Sequence, residues 1–193
     1  MKSNYLYRLL ISSYGISTFA EGVLMPIYAI FVQDIGGDIL DASGAVALFL
    51  FVSGVTTICI HRLRWSQKHR TKLLVYGWLL WVIGVFGYFF VDSTYMLFAV
   101  QIVVALGNAI TNPAFDAELA DHTDKKNKAY GWGVFEAIQD IANSIAALVG
   151  GLIASFFGFR VLILFMFIAA NISFLIILYY VKMKNRTWLQ KLA

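Results

Sequence analysis

Glu21 is an ionisable side chain set among residues that could all live in oil: residues 17–31 read STFAEGVLMPIYAIF. A carboxylate in such surroundings costs roughly 2.5–3.5 kcal/mol at the centre of a bilayer. It persists only where it faces a wet cavity, meets a donor or carries a proton, so its chemistry is the holding of a proton or a cation. A second group points the same way. Glu136, Asp140 and Asn143 follow i, i+4, i+7 spacing and share one helix face, with Gln139 beside them. Asn108, Asn112 and Asp116 recur at four-residue spacing in another apolar stretch, with Glu118 just beyond and Asn171 alone further on. We take Glu21, Asp140 and Glu136 as proton- or cation-binding candidates. Asn108, Asn112, Asp116, Gln139 and Asn143 are candidate cavity-lining residues. The competing reading is structural: a protonated Glu21 bonded to a neighbouring helix, and a Glu136 that lies merely near a membrane boundary.

Covalent chemistry finds little support. The fragment ASG at 42–44 resembles part of an intramembrane serine protease, but such a nucleophile needs a base at the same depth. His61, His69 and His122 all fall at the edges of apolar segments. A glycine-rich phosphate loop is absent from the sequence. Cys59 is the only cysteine, so neither an internal disulfide nor a thiolate metal site is expected. The expectation is therefore no enzyme, no cofactor and no metal.

The elements that must hold these carboxylates follow from composition. Of 193 residues, 60% are hydrophobic and 13% charged, against about 45–50% and about 25% in soluble domains. Six apolar segments, at about 7–33, 43–61, 73–91, 95–117, 130–156 and 160–181, are each long enough for a helix to cross about 30 Å of hydrocarbon. The fold expected is all-α, one six-helix transmembrane domain over residues 1–193. The first segment is too long for a cleavable signal and contains Glu21. Fourteen of the fifteen basic residues fall on one side when the connecting loops are alternated, and Arg160 alone falls on the other, with Asp34, Asp38, Asp41 and Asp92. The positive-inside rule then places both termini in the cytoplasm of a cell inner membrane. It also accounts for the net charge of +4 without nucleic acid. Trp65, Trp188, Tyr5 and Tyr7 read as interface anchors, and Pro26 and Pro113 as kinks. Ala142, Ala146 and Gly150 form one line of small residues and Asn143, Ala147 and Gly151 another. Such lines allow close helix approach in lipid, either within the bundle or to a second copy.

The stretch LGNAITNPAFDAELADHTDKKNKAYGWGVFEAIQDIANSIAALVGGLIASFFGFR resembles the fourth and fifth helices of the major facilitator superfamily in Gly107, Pro113, Ala117, Ala120, Asp121, Gly131, Gly150, Gly151 and Arg160. The fifth segment is similar to that family's antiporter motif, with Gly133, Ala142, Ala146, Ala147, Gly150 and Gly151 at its small-residue places. The loop before the third segment resembles the family's basic loop in Lys68, Arg70 and Lys72, with Ser66 where the family has an acid. The resemblance implies a cytoplasmic gate at Lys68, Arg70, Lys72 and Asp121. It also implies that helices one, two, four and five face a central cavity while three and six face lipid. The third segment, uncharged and containing Trp78 and Trp81, fits the lipid-facing role.

Family members have twelve spans in two six-helix halves related by an axis along the membrane normal. This chain supplies six. A single half would turn its carboxylates toward lipid, so a parallel two-fold homodimer is the economical expectation. The function expected is transport by alternating access, proton-coupled exchange of a cationic or polar small molecule in its sharper form. Uptake of a neutral solute such as a sugar is the alternative. From another class come a non-transporting scaffold and one half of a split transporter with a different partner chain. The partners expected are thus membrane lipid, a second copy and a small-molecule substrate, and no nucleic acid.

Overall fold

The computed structural model describes residues 2–62, 69–123 and 127–189, and every regular element among them is helical. The helices are α1 (Lys2–Gly22), α2 (Tyr28–Asp34), α3 (Ile39–Arg62), α4 (Arg70–Gly87), α5 (Thr94–His122), α6 (Lys128–Phe157) and α7 (Phe159–Leu189). Six spans are long and apolar enough to cross a membrane: Tyr5–Asp34, Ile39–Ile60, Arg70–Phe90, Thr94–His122, Lys128–Phe157 and Phe159–Asn185. The first span comprises α1 and α2. Pro26, with no N–H to give, opens a short 3-10 turn over Met25–Ile27 between them. Leu24 N–H turns back to the Glu21 carbonyl at 3.2 Å and Ile27 N–H to the Leu24 carbonyl at 3.1 Å, so the break leaves few backbone groups unanswered. Pro113 behaves differently, because α5 runs through it without interruption.

The connections opposite the termini are tight. Asp38 and Asp41 cap α3 reciprocally: the Asp38 carboxylate accepts from the N–H groups of Leu40 and Asp41, and Asp41 accepts from the Asp38 N–H at 3.0 Å. Gly158, at φ 79°, takes a conformation that side chains resist and turns α6 directly into α7.

Packing centres on α4 against α5 and α1 against α7, with α3 held chiefly by α5. Tyr14 joins four helices, its ring centroid lying 4.5 Å from Phe115, 5.0 Å from Phe135 and 6.3 Å from Trp78. Here one expectation is corrected. Trp78 and Trp81 do not face lipid; both are buried inside the bundle. The reason is polar as well as steric. The Trp78 indole N–H donates to Ser173 Oγ at 3.1 Å, and that hydroxyl donates to the Ser13 carbonyl at 2.8 Å, pinning α4, α7 and α1 together. The outer face of α4 is instead formed by Tyr76, Leu79, Ile83 and Phe86.

α3 and α6 are the least buried spans. Ile39, Leu50, Phe51 and Ile58 stand out from α3, and Ile141, Leu148, Leu152 and Phe156 from α6. The small-residue line of α6 is resolved by geometry. Ala146 and Gly150 are buried against α1, where Ala146 Cβ and Asn143 crowd Gly22, and a Cβ on Gly150 would strike the Val23 carbonyl. This contact lies inside the bundle, while a Cβ on Gly151 meets open space. We therefore expect Ala146→Leu and Gly150→Ala to lower unfolding stability in detergent by about 1–3 kcal/mol, as overpacking does. Gly151→Ala should leave it unchanged or raise it by up to about 1 kcal/mol, the usual gain for removing a helical glycine. Equal effects at Gly150 and Gly151 would contradict this packing.

Candidate functional site

The polar residues of α1 and α5 meet halfway along the bundle. Asn108 Nδ2 donates to Glu21 Oε1 at 3.1 Å. Together they border a recess of about 70 Å³ that is also lined by Tyr14, Ser17 and Thr18 from α1, Trp78 and Trp81 from α4, and Thr111 and Asn112 from α5. That space admits several waters, each needing roughly 10–15 Å³, or one hydroxyl-bearing group. Glu21 and Asn112 are exposed, whereas Trp78, Trp81 and Thr111 are buried. Thr111 Oγ1 finds no hydrogen-bond partner within the described protein, and the Trp81 indole N–H lies toward the Glu21 carboxylate without closing a full hydrogen bond. Native interiors leave few polar groups incompletely bonded, and here both of these line the same recess as the carboxylate.

The remaining carboxylates are placed differently. Glu136, Asp140 and Asn143 are exposed on α6, with Gln139 half-buried beside them. Asn143 packs against α1 at Gly22, one residue from Glu21. Asp116 is exposed on α5 and does not border the recess. Of the eight proton-binding and cavity-lining candidates, the recess thus gathers Glu21, Asn108 and Asn112.

A third polar centre lies nearer the end of the bundle that carries the termini. Glu118 is completely buried, and Lys184 Nζ donates to both of its carboxylate oxygens at 2.6 Å. Tyr180 Oη donates at 2.6 Å, Thr71 Oγ1 at 3.1 Å, and Arg70 Nε lies 3.0 Å away. Arg70 also pairs with Asp121. One carboxylate therefore ties α4, α5 and α7. Of the four gate candidates, Arg70 and Asp121 join this cluster, Lys72 is exposed and Lys68 lies outside the described residues.

Several of these groups escaped the sequence reading, although their spacing was visible. Tyr14, Ser17, Thr18 and Glu21 follow the i, i+3/i+4, i+7 pattern of one helix face, as do Asn108, Thr111 and Asn112. Tyr180 and Lys184 are likewise four apart. Charged residues, Asn and Gln alone are weighed there for the cavity, which leaves the hydroxyl groups out, and the Trp78 and Trp81 indoles are assigned to the lipid-facing side.

Six membrane-competent helices around a mid-depth carboxylate, amide and hydroxyl recess define a polytopic membrane protein of the kind that handles polar groups inside lipid. The sequence matches the Major Facilitator Superfamily over residues 10–191, and the chain belongs to that family. It is similar to the proton-coupled antiporter flippase LtaA of Staphylococcus saprophyticus, 26% identical over 184 residues, covering 90% of this chain and 44% of the relative. The protein of the same name from Staphylococcus epidermidis is 32% identical over 80 residues, which are 42% of this chain and 20% of the relative. The chain spans less than half the length of these relatives.

The Glu118 cluster yields a stability test. Glu118→Ala should cost about 3 kcal/mol, the lower end for breaking a buried ion pair, because Arg70 and Lys184 keep partial access to water. Asp121→Asn, which removes a half-exposed pair, should cost less than about 1 kcal/mol. Unfolding of both variants in the same micelle measures the difference, and similar losses would mean that the buried carboxylate is not the centre of the cluster.

Proposed function

We propose that the chain forms a membrane transporter that works by alternating access, with Glu21 as the group that holds and releases a proton. The observation that carries this reading is the recess itself: an exposed carboxylate, held by Asn108 and neighboured by the Trp81 N–H, beside a buried Thr111 hydroxyl with no partner among the described residues. A cation entering beside Glu21 favours its ionised form and expels the proton, which is the linkage an exchanger requires. Asp140 and Glu136, exposed on α6, supply further negative charge for a cationic or polar substrate. The name of the Staphylococcus relatives, proton-coupled antiporter flippase, supports proton-coupled exchange in this chain. A second reading, uptake of a neutral solute such as a sugar, is favoured by the Trp81 N–H and Thr111 hydroxyl, which suit hydroxyl partners.

The same proposal includes a second copy of the chain. The apolar faces of α3 and α6 and the carboxylates of α6 are exposed together. A parallel two-fold dimer would cover the former and turn the latter toward a shared cavity. Both termini are assigned to the cytoplasm from the distribution of basic residues. A Cys at Asn127 should then react with impermeant reagents only from the cytoplasmic side; Ser66, the matching site in the preceding basic loop, lies outside the described residues.

The experiment is flux in proteoliposomes with and without an imposed pH gradient. Glu21→Gln, which keeps shape and hydrogen bonding but cannot titrate, should assemble normally. It should lose proton-linked flux and the pH dependence of substrate binding. Asp140→Asn should weaken cation binding with less effect on coupling. Unchanged flux and pH dependence in Glu21→Gln would assign that residue a purely structural role. Cross-linking of the protein expressed alone tests the dimer, and a strict monomer in lipid would favour a different partner half or a scaffold.

A further inference from the structure

A second, wider cavity lies away from the mid-depth recess, at the end of the bundle opposite the termini. It holds about 780 Å³, within the range of about 300–1,000 Å³ typical of ligand sites. Its floor is apolar: Phe31, Tyr88 and Ile163 line it and are buried. The ring of Phe31 lies 6.0 Å from that of Tyr88 and 5.4 Å from that of Phe159, so a cluster of aromatic rings forms one wall. Its rim is charged. Asp34 comes from the end of α2, Asp92 from the connection before α5 and Arg160 from the first turn of α7. All three are exposed, and their side chains make no hydrogen bond or ion pair with the described protein. Three separate elements thus bring one guanidinium and two carboxylates to one opening without pairing them. Phe90 and Phe157, both exposed, flank the same cavity.

We propose that this cavity binds the headgroup of a zwitterionic phospholipid, with its phosphate on Arg160 and its ammonium between Asp34, Asp92 and the aromatic wall. A guanidinium holds phosphate oxygens through parallel N–H bonds. An ammonium gains from both carboxylates and the faces of aromatic rings. The rim carries one positive and two negative charges, which disfavours a lipid with phosphate alone. The cavity sits at the ends of spans, the depth of the membrane interface, where headgroups lie and aromatic residues concentrate. Phe90 and Phe157 give the attached acyl chains an apolar exit, which favours a membrane lipid over a soluble zwitterion.

The test uses the full chain in nanodiscs containing equal phosphatidylethanolamine and phosphatidylglycerol, with retained lipid counted by native mass spectrometry after detergent release. The wild-type protein should retain phosphatidylethanolamine in preference. Arg160→Gln should reduce that retention by about tenfold, the scale of one lost charge-assisted contact. Asp34→Asn with Asp92→Asn should shift retention toward phosphatidylglycerol. Each variant is scored only with wild-type helicity and elution; should Arg160→Gln fail that criterion, the carboxylate variants decide by the lipid preference alone. Equal retention of both lipids by the wild-type protein would overturn the proposal, as would wild-type selectivity in the folded variants. Binding of glycerophosphoethanolamine, which has the headgroup but no acyl chains, as tightly as the phospholipid would also overturn it by showing a solute site.

Discussion

Lipid offers no hydrogen bonds, and the organisation of this bundle follows from that one constraint. Each buried polar side chain must be answered by the protein or open onto a wet surface. The answers lie at different depths. At one end, Glu118 is saturated by Lys184, Tyr180, Thr71 and Arg70. Further in, Trp78, Ser173 and the Ser13 carbonyl form a closed neutral chain. Around Glu21 the account is left open, with Asn108 bonded to the carboxylate, the Trp81 N–H near it without a full bond, and the buried Thr111 hydroxyl unanswered. The first two arrangements lock helices together. The third leaves hydrogen-bonding capacity facing a recess, which is where a moving polar partner would be received.

The same constraint explains how much of the fold was legible in the sequence. Apolar length is a property of single segments, so the all-helical, six-span class could be read without contacts. Pro26 could be read as a kink because proline lacks the N–H that a helix interior needs. Pro113 could not be separated from it by residue type alone. The structure leaves α5 continuous there, between α4 and α3. Burial direction was harder. Trp78 and Trp81 sit in an uncharged helix, and hydropathy cannot tell an inward indole from an outward one. The deciding partner of Trp78, Ser173, is 95 residues away.

The site was legible to a similar degree. Glu21 and Asn108 stood out because a carboxylate and an amide are costly in apolar stretches, and the structure brings them together. Ser17, Thr18 and Thr111 did not stand out, since a hydroxyl can satisfy itself within its own helix. Ser17 does this, donating to the Tyr14 carbonyl at 2.8 Å, while Thr111 does not. Glu118 illustrates the converse. Its sequence neighbours suggest a carboxylate at a membrane boundary. Its partners come from α4 and α7, and only tertiary contact turns it from a surface charge into the most enclosed one described.

α6 shows how packing and function share one helix. Toward α1 it presents Ala146 and Gly150, which bring the two backbones together beside Glu21. On its exposed side it carries Glu136 and Asp140 nearer its start and Ile145, Leu148, Leu152 and Phe156 toward its end. A helix exposed only to lipid would have no use for the carboxylates, and one lining only water would have no use for the apolar half. The division suits a helix that borders a polar cavity over part of its length and another protein surface over the rest. Because α6 touches α1 so closely at Gly22, a shift of α6 against that second surface would be felt at the residue next to Glu21. The polar recess and the uncovered face are therefore mechanically adjacent.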